Sequence, residues 1–198
     1  MTRTTTRPLR QPGVDVHLRP VRLGDWPRIH EWARRPDVTQ YQAWGPNRAV
    51  ETREYVVAAI EAAHQVPQVR HVLSVVQSDR VVGLVELTVV DVEAGIAEVG
   101  YAVHPDVWGR GIATEAARHA VRFAFDELGM RVVTATCDTT NVASARVLEK
   151  LGMHLEQTIP HDVWVGRRWR DTHVFSVRAE EQRNALSATP CATAGRVA

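Results

Sequence analysis

The chain has 198 residues, a formal net charge of +1, a hydrophobic fraction of 44% and a charged fraction of 24%. These values are typical of one globular domain with tails, and they exclude collagen-like, disulfide-rich and strongly basic nucleic-acid-binding classes. No stretch approaches the roughly 18 apolar residues of a membrane span, and the polar N-terminus lacks the hydrophobic segment of a secretory signal. We therefore expect a cytoplasmic enzyme or binding module that contacts neither nucleic acid nor membrane.

Metal and disulfide chemistry receive little support from the sequence. Cys137 and Cys191 have no CxxC spacing, and the nine histidines are scattered along the chain. We expect no metal site and two free thiols in a reducing compartment, the alternative being a disulfide between the two cysteines.

The first predicted elements follow a flexible polar arm over residues 1–13. Alternating apolar and polar residues predict a strand within residues 14–21. Asp25 is a candidate N-cap for a helix that ends near Arg34, and residues 37–47 are predicted to form a loop. A second helix is predicted over residues 49–65, before Pro67.

Three consecutive strands are predicted next, over residues 71–77, 80–90 and 96–103, the first two forming a hairpin. The remaining patterns predict a long helix over 112–128, a strand over 131–137, a helix over 142–151 and strands over 158–165 and 171–177. The small, polar residues 179–198 are predicted to be a mostly disordered tail. The order β-α-α-β-β-β-α-β-α-β-β predicts an α/β domain over residues 14–178 with a mixed sheet, rather than a regular doubly wound fold.

The loop before the longest helix has the composition of an anion-binding site. In HPDVWGRGIATEA, Gly109 and Gly111 flank Arg110, and the helix begins immediately afterwards. A helix N-terminus presents unpaired N–H groups, and neighbouring glycines let a diphosphate approach the backbone. The alternative is a plain strand-to-helix turn in which the glycines only supply unusual backbone angles.

A second polar pair begins the last predicted helix. Asn141 and Ser144 stand three residues apart, hence on one face of NVASARVLEKLGM, while Val147, Leu148 and Leu151 form a core-facing stripe. Asn141 taken alone is best explained as an ordinary N-cap.

Together these two segments resemble the GNAT superfamily of acetyl-CoA-dependent N-acetyltransferases, in a branch similar to the ribosomal-protein acetyltransferases RimJ and RimL. The resemblance includes GYAV before the glycine loop and WGP between the first two helices, and it covers residues 14–178. It implies a GNAT-like fold in which the strand of Val99–Val103 and the strand of Val132–Thr136 splay apart around the pantetheine arm of acetyl-CoA.

The resemblance also implies site residues. Backbone N–H groups from Trp108 to Ala113 would bind the pyrophosphate with help from Arg110, Asn141 would contact the pantetheine arm, and Ser144 would lie near the sulfur and protonate the thiolate. The implied coenzyme-binding set is Tyr101, Val103, Trp108, Gly109, Arg110, Gly111, Ile112, Ala113, Thr114, Asn141 and Ser144.

The implied reaction is direct attack of a primary amine on the acetyl thioester, by a monomer or a homodimer. An α-amine with a pKa near 8 is far more often neutral at pH 7 than a lysine amine near 10.4, so it makes the smaller demand on a base. Glu98, a polar residue within an apolar strand, is the candidate base and substrate contact, the alternative being an ordinary outward-facing strand residue. The backbone N–H of Gly100 or Tyr101 is expected to polarise the thioester carbonyl if the strand bulges there.

Acceptor contacts are expected from variable loops, namely Tyr41, Trp44 and Trp164 in addition to Glu98. Trp44 is equally consistent with a cap on the core, and Cys137 is better explained as a small buried hydrophobe than as a nucleophile. The acceptor is either a protein N-terminal α-amine or a small amine. The alternative function is a catalytically idle acyl-CoA-binding or regulatory module, and a third is binding of a different nucleotide diphosphate.

Overall fold

A computed structural model describes residues 14–165 and 168–182, so the predicted arm and residues 183–198 of the predicted tail lie outside the described residues. The helices are α1 (Trp26–Ala33), α2 (Pro36–Thr39), α3 (Ala49–Ala62), α4 (Ile112–Asp126) and α5 (Val142–Lys150). The strands are β1 (His17–Pro20), β2 (Arg70–Gln77), β3 (Arg80–Asp91), β4 (Ile96–Val103), β5 (Val132–Asp138), β6 (His154–Val165) and β7 (Arg168–Arg178). Short 3-10 turns occupy Leu23–Asp25 and Pro105–Val107.

The predicted α/β class and the predicted order of the main elements are confirmed. One local difference is that the predicted loop 37–47 begins within a single helical turn, α2. Pro36 stands at its first position, where a fixed φ and a missing N–H suit a helix start.

All seven strands form one mixed sheet in the order β1-β2-β3-β4-β5-β7-β6. β1 to β4 are antiparallel neighbours, β4 and β5 are parallel, and β7 lies antiparallel to both β5 and β6. The parallel pair is the one joined through α4, as a crossover connection requires. The predicted mixed sheet is therefore confirmed.

Helices cover both faces of the sheet. On one face the small residues Ala116, Ala120 and Ala124 of α4 are fully buried and pack in the core formed with β3, β4 and β5. On the other face Trp32 of α1 and Val56 of α3 belong to a second core. β3 contributes to both cores because successive strand residues point to opposite faces.

Asp25 occupies the predicted N-cap position of α1, but its side chain has a structural role elsewhere. α1 does begin directly after it, but its side chain makes no cap hydrogen bond. Its carboxylate instead accepts two hydrogen bonds from Arg19, at 2.7 Å each, and one each from the Arg22 N–H and the Ser74 hydroxyl at 2.9 Å. Burial would raise the pKa of Asp25, but these hydrogen bonds hold it below its usual value. The carboxylate ties β1, β2 and the 3-10 turn together.

Candidate active site

The glycine loop between β4 and α4 is shaped so that its backbone faces solvent. Gly109 and Gly111 have φ values of +73° and +78°, and Gly111 is the N-cap of α4 without a side-chain cap. A Cβ at Gly109 would meet no atom within 4 Å. Left-handed φ values strain residues other than glycine, so these two positions explain the Gly-Arg-Gly sequence.

The first amides of α4 are free to bind a ligand. Within the described chain, the N–H groups of residues 109–114 donate to no protein acceptor, and the first α4 bond from this loop is Glu115 N–H to the Gly111 carbonyl at 3.0 Å. Arg110 is exposed beside them and forms no ion pair with a described residue. Unpaired amides at a helix N-terminus, together with a guanidinium, are a donor set that fits a diphosphate.

Trp108 differs from the other loop residues that the resemblance assigned to the coenzyme. Its backbone N–H donates to the Pro105 carbonyl at 3.0 Å, and its indole Nε1 donates to the Val103 carbonyl at 3.0 Å. Both donors are therefore used within the protein. Trp108 anchors the loop to the end of β4, and the unpaired amides begin at Gly109.

The two central parallel strands splay apart at Glu98. Pairing of β4 with β5 comprises only Ile96 with Val132, Ala97 with Val133 and Glu98 with Thr134, although both strands continue for several residues. The predicted splay is thus present, and it opens toward the glycine loop, because β4 runs on to Val103 on that side.

The backbone of β4 distinguishes between the two candidate amides for polarising a carbonyl. The His104 N–H donates to the Val82 carbonyl of β3 at 2.7 Å. Because successive N–H groups of a strand point to opposite neighbouring strands, the Gly100 N–H also points toward β3, whereas the Tyr101 N–H points toward the splay. The β3–β4 register shift lies at Val89/Asp91, not at Gly100. The expected bulge is absent at Gly100–Tyr101, and the splay itself exposes the Tyr101 amide.

A pair of hydroxyl groups bridges the splay. The Tyr101 hydroxyl lies 2.9 Å from Ser144 Oγ and donates to the Ser144 carbonyl at 3.2 Å. Burial raises the pKa of Tyr101 well above its usual value, so the phenol keeps its proton. Asn141 is the N-cap of α5, its Oδ1 accepting from the Ser144 N–H at 3.0 Å. The N-cap thereby fixes where Ser144 stands.

Cys137 lies in the core at 8% exposure, as expected for a small buried hydrophobe. Burial, and then the nearby Asp138 carboxylate, raise the pKa of the Cys137 thiol to about 11, and a hydrogen bond with Ser144 only partly opposes them. A thiol with this pKa is almost entirely protonated at neutral pH, which makes it a poor nucleophile.

Glu98 stands where the paired part of β4 ends. Its carboxylate accepts a hydrogen bond from Thr136 Oγ1 of β5 at 3.1 Å. Its side chain is half-buried and lies on the sheet face opposite Ala97 and Val99, which are in the α4 core. Within the described residues Glu98 has no cationic partner, which leaves the carboxylate available as a proton acceptor.

A cavity of about 460 Å³ lies beside Glu98, between β3 and β4 on one side and α1, α3 and the loop that joins α2 to α3 on the other. Of the four predicted acceptor contacts, Trp44 and Glu98 line this cavity, whereas Tyr41 and Trp164 are not among its lining residues. Trp164 instead stacks edge-to-face on Trp169 across the β6–β7 pair, with ring centroids 5.4 Å apart. The lining residues are Ile29, Trp32, Ala33, Gln42, Trp44, Asn47, Thr52, Tyr55, Leu84, Glu86, Thr88, Glu98, Gly100, Tyr101 and Ala102.

Other kinds of site find no support in the described part of the chain. No group of three or more His, Cys, Asp or Glu side chains there is placed to hold a metal ion. None of the helices described is both long and apolar enough to cross a bilayer.

The fold is therefore a mixed sheet in which the parallel strands β4 and β5 separate beside the N-terminus of α4, whose unpaired amides are suited to bind an anion. A family model described as "Acetyltransferase (GNAT) domain" matches residues 15–154, and the chain therefore belongs to the GNAT acetyltransferase family. Acetyl-CoA is the co-substrate of this family.

Relatives and solved structures agree with this assignment. The chain is 26% identical to the uncharacterized N-acetyltransferase p20 of Bacillus licheniformis over 83% of this chain and 93% of p20. It is 26% identical to the spermidine N(1)-acetyltransferase of Escherichia coli K12 over 79% of this chain and 82% of that protein. A further match, 31% identical to YnaD of Bacillus subtilis, covers 42% of this chain and about half (49%) of YnaD. A solved structure of RimL, a ribosomal L7/L12 α-N-protein acetyltransferase in complex with coenzyme A, superposes with a TM-score of 0.76 over 84% of this chain and 96% of that chain. The two sequences are 16% identical, so this match shows a similarity of fold.

Proposed function

We propose that this protein transfers the acetyl group of acetyl-CoA to a primary amine by direct attack. The observation that carries the proposal is the meeting of two features at Glu98. The splay opens at this residue, and the cavity beside it is lined by the same carboxylate. A coenzyme held in the splay and an amine held in the cavity would approach each other at one point of β4. We also place the chain in the branch similar to RimJ and RimL.

The residues present fit acetyl-CoA, which supplies the acetyl thioester. The amides of residues 109–114 and Arg110 would hold its pyrophosphate, because they are unpaired donors at a helix start. Tyr101 and Val103 on β4 and Asn141 at the start of α5 would contact the pantetheine arm. Trp108 acts indirectly, since both of its donors hold the loop in place.

Glu98 is proposed as the base that takes a proton from the attacking amine, directly or through one water. Its carboxylate is held by Thr136, so its orientation is set before an amine arrives. The Tyr101 N–H, turned toward the splay, is placed to donate a hydrogen bond to an oxygen that gains negative charge.

Ser144 is proposed as the proton donor for the departing sulfur. Its hydroxyl contacts the Tyr101 phenol at 2.9 Å, and that phenol remains protonated because its pKa is raised. Tyr101 can replace the proton that Ser144 gives up by turning its hydroxyl hydrogen from the Ser144 carbonyl to Oγ, and Tyr101 then regains a proton from solvent.

Two measurements test the proposal. Isothermal titration with acetyl-CoA, CoA and ADP asks what the loop binds, and thiol release from acetyl-CoA with a panel of primary amines asks whether transfer occurs. We expect acetyl-CoA to bind more tightly than ADP and the thiol to be released only with an amine. Preference for ADP contradicts the coenzyme assignment. Tight acetyl-CoA binding with no amine-dependent thiol release supports an idle acyl-CoA-binding module instead.

Glu98→Gln tests the base. We expect kcat to fall by about 10²-fold or more, the usual contribution of a general base, and the acidic limb of the kcat profile to disappear. Glu93→Gln is the matched control, because Glu93 is exposed in the turn before β4 and lies outside the cavity. An unchanged kcat and pH profile in Glu98→Gln would remove Glu98 from the mechanism. The cytoplasmic location and the monomeric or homodimeric state stay predictions.

A further inference from the structure

The cavity beside Glu98 contains two carboxylates whose surroundings differ. Glu86 of β3 and Glu98 of β4 both line it. An acidic cavity of this kind is expected to attract amines, and the number of uncompensated charges decides how many ammonium groups it favours. The partners of the two carboxylates therefore bear on the class of acceptor.

Glu86 is neutralised within the protein. Arg70 donates from Nε to Oε1 at 2.6 Å and from a terminal nitrogen to Oε2 at 3.1 Å, and Tyr55 donates its hydroxyl to Oε2 at 2.8 Å. The Arg70 guanidinium also lies 5.2 Å from the centre of the Tyr55 ring. Burial would raise the pKa of Glu86, but the hydrogen bonds from Arg70 and Tyr55 hold it below its usual value, so the pair remains ionised with no net charge.

Glu98 differs because its only described side-chain partner is the neutral Thr136 hydroxyl. It is thus the carboxylate of the described cavity that lacks a cationic neighbour. It also stands at the splay, where the reacting amine must be. The one uncompensated negative charge coincides with the position of the amine that reacts.

The rest of the lining is apolar or neutral. Trp44, Trp32, Ile29 and Leu84 supply aromatic and aliphatic surface, while the polar members beyond the two glutamates are amides and hydroxyls. Trp32 is almost fully buried at 1% exposure, whereas Trp44 is 41% exposed at the outer wall. A second ammonium group inside this lining would lose hydration without gaining a charged partner.

We infer that the acceptor is a monoamine carrying an apolar, preferably aromatic, body, and not a polyamine. This inference rests on the proposed acetyl transfer and specifies its substrate class. The amine faces Glu98, and the body lies against Trp44 and Leu84. The same chemistry occurs in a free arylalkylamine and in a peptide whose N-terminal residue is aromatic, so the experiment includes both.

The first experiment isolates charge from size. n-Hexylamine and 1,6-diaminohexane have the same chain length and differ by one ammonium group, so their kcat/KM values are compared in the thiol-release assay with the full-length protein. We expect hexylamine to be favoured by about tenfold or more, which corresponds to roughly 1.4 kcal/mol. 2-Phenylethylamine and a Phe-Ala-Ala amide peptide are expected to exceed spermidine, and whichever of these two is faster identifies the source of the amine.

The second experiment changes the charge of the cavity. Arg70→Gln removes the cation that neutralises Glu86, so the ratio of kcat/KM for the diamine to that for hexylamine is expected to rise about fivefold or more. Arg80→Gln is the matched control, because Arg80 is exposed at the β2–β3 turn and makes the same change in net charge outside the cavity. A ratio of two substrates is independent of the amount of active enzyme, so partial unfolding of the variant does not affect it.

The outcomes separate the two proposals. Equal or better use of the diamine or of spermidine by the unaltered protein overturns the monoamine inference and leaves acetyl transfer intact. An unchanged substrate ratio in Arg70→Gln overturns the argument that Glu86 is neutralised by Arg70. Failure of every amine to release thiol, with acetyl-CoA still bound, overturns the proposed function and the inference together.

Discussion

Replacing Gly109 by alanine tests whether the loop backbone binds a diphosphate. Gly109 has φ +73° and open space around a potential Cβ, so the cost to folding is backbone strain alone. A left-handed alanine costs about 1–2 kcal/mol, which lowers Tm by roughly 2–8 °C in a chain of this size. We expect a further effect on the ligand. The new methyl group would occupy part of the space that a diphosphate needs, and the Kd for acetyl-CoA should rise about tenfold or more.

Gly129, just beyond the other end of α4, provides the matched control. It has φ +67°, and a Cβ there would also meet no atom within 4 Å. Gly129→Ala should therefore lower Tm about as much as Gly109→Ala but leave acetyl-CoA affinity unchanged. Thermal unfolding and isothermal titration of both variants give the two quantities. Equal Kd values in the two variants would refute the argument that the amides of this loop bind the coenzyme. Gly111→Val is a less informative probe, because a β-branched residue at φ +78° is strained regardless of any ligand.

Two further substitutions test the splay and the fold. Tyr101→Phe removes the phenol that contacts Ser144 at 2.9 Å but keeps the ring, so we expect kcat to fall about tenfold or more with acetyl-CoA affinity nearly unchanged, and an unaltered kcat would exclude Tyr101 from proton delivery. Asp25→Asn should lower the free energy of unfolding at pH 7 by about 2–3 kcal/mol, measured by chemical denaturation, because Arg19 loses its charged partner. Since the pKa of Asp25 is lowered in the folded protein, the stabilisation that its carboxylate provides is complete above its unfolded pKa near 4 and is lost as the pH falls. The difference in free energy of unfolding between the unaltered protein and Asp25→Asn should therefore narrow toward pH 3. A difference that stays constant with pH would contradict this assignment.

The fold was largely predictable because its signals are local. Alternation marks β4, helical periodicity marks α4, and the glycines at 109 and 111 mark the turn between them. The free amides of that turn also follow from the sequence, since a helix that starts at a glycine has no side chain to cap it. The sequence could not distinguish the Trp108 amide from those of its neighbours, because its bond back to the Pro105 carbonyl depends on the local turn.

The parts of the site that sequence reasoning missed depend on pairing between distant strands. Thr136 meets Glu98 across β4 and β5, and Arg70 meets Glu86 across β2 and β3, contacts that require the register of the sheet. Tyr101 is an intermediate case. Its alternation with Val99 and Val103 places it on the α4 face, where a phenol needs a partner, and α5 begins with two polar residues near that face.

The end of the β4–β5 pairing explains why the chemistry would be concentrated at Glu98. Paired strands use their N–H and C=O groups on each other, so a coenzyme can enter only where pairing stops, which is directly after Glu98 and Thr134. The side chains of the same stretch alternate between faces. Glu98 therefore projects into the cavity between β3, β4, α1 and α3, while Tyr101, three residues later, projects toward Ser144. An odd separation along one strand thus puts the proposed base Glu98 and the phenol that contacts the proposed proton donor Ser144 on opposite faces of the sheet, where attack by the amine and departure of the sulfur need them.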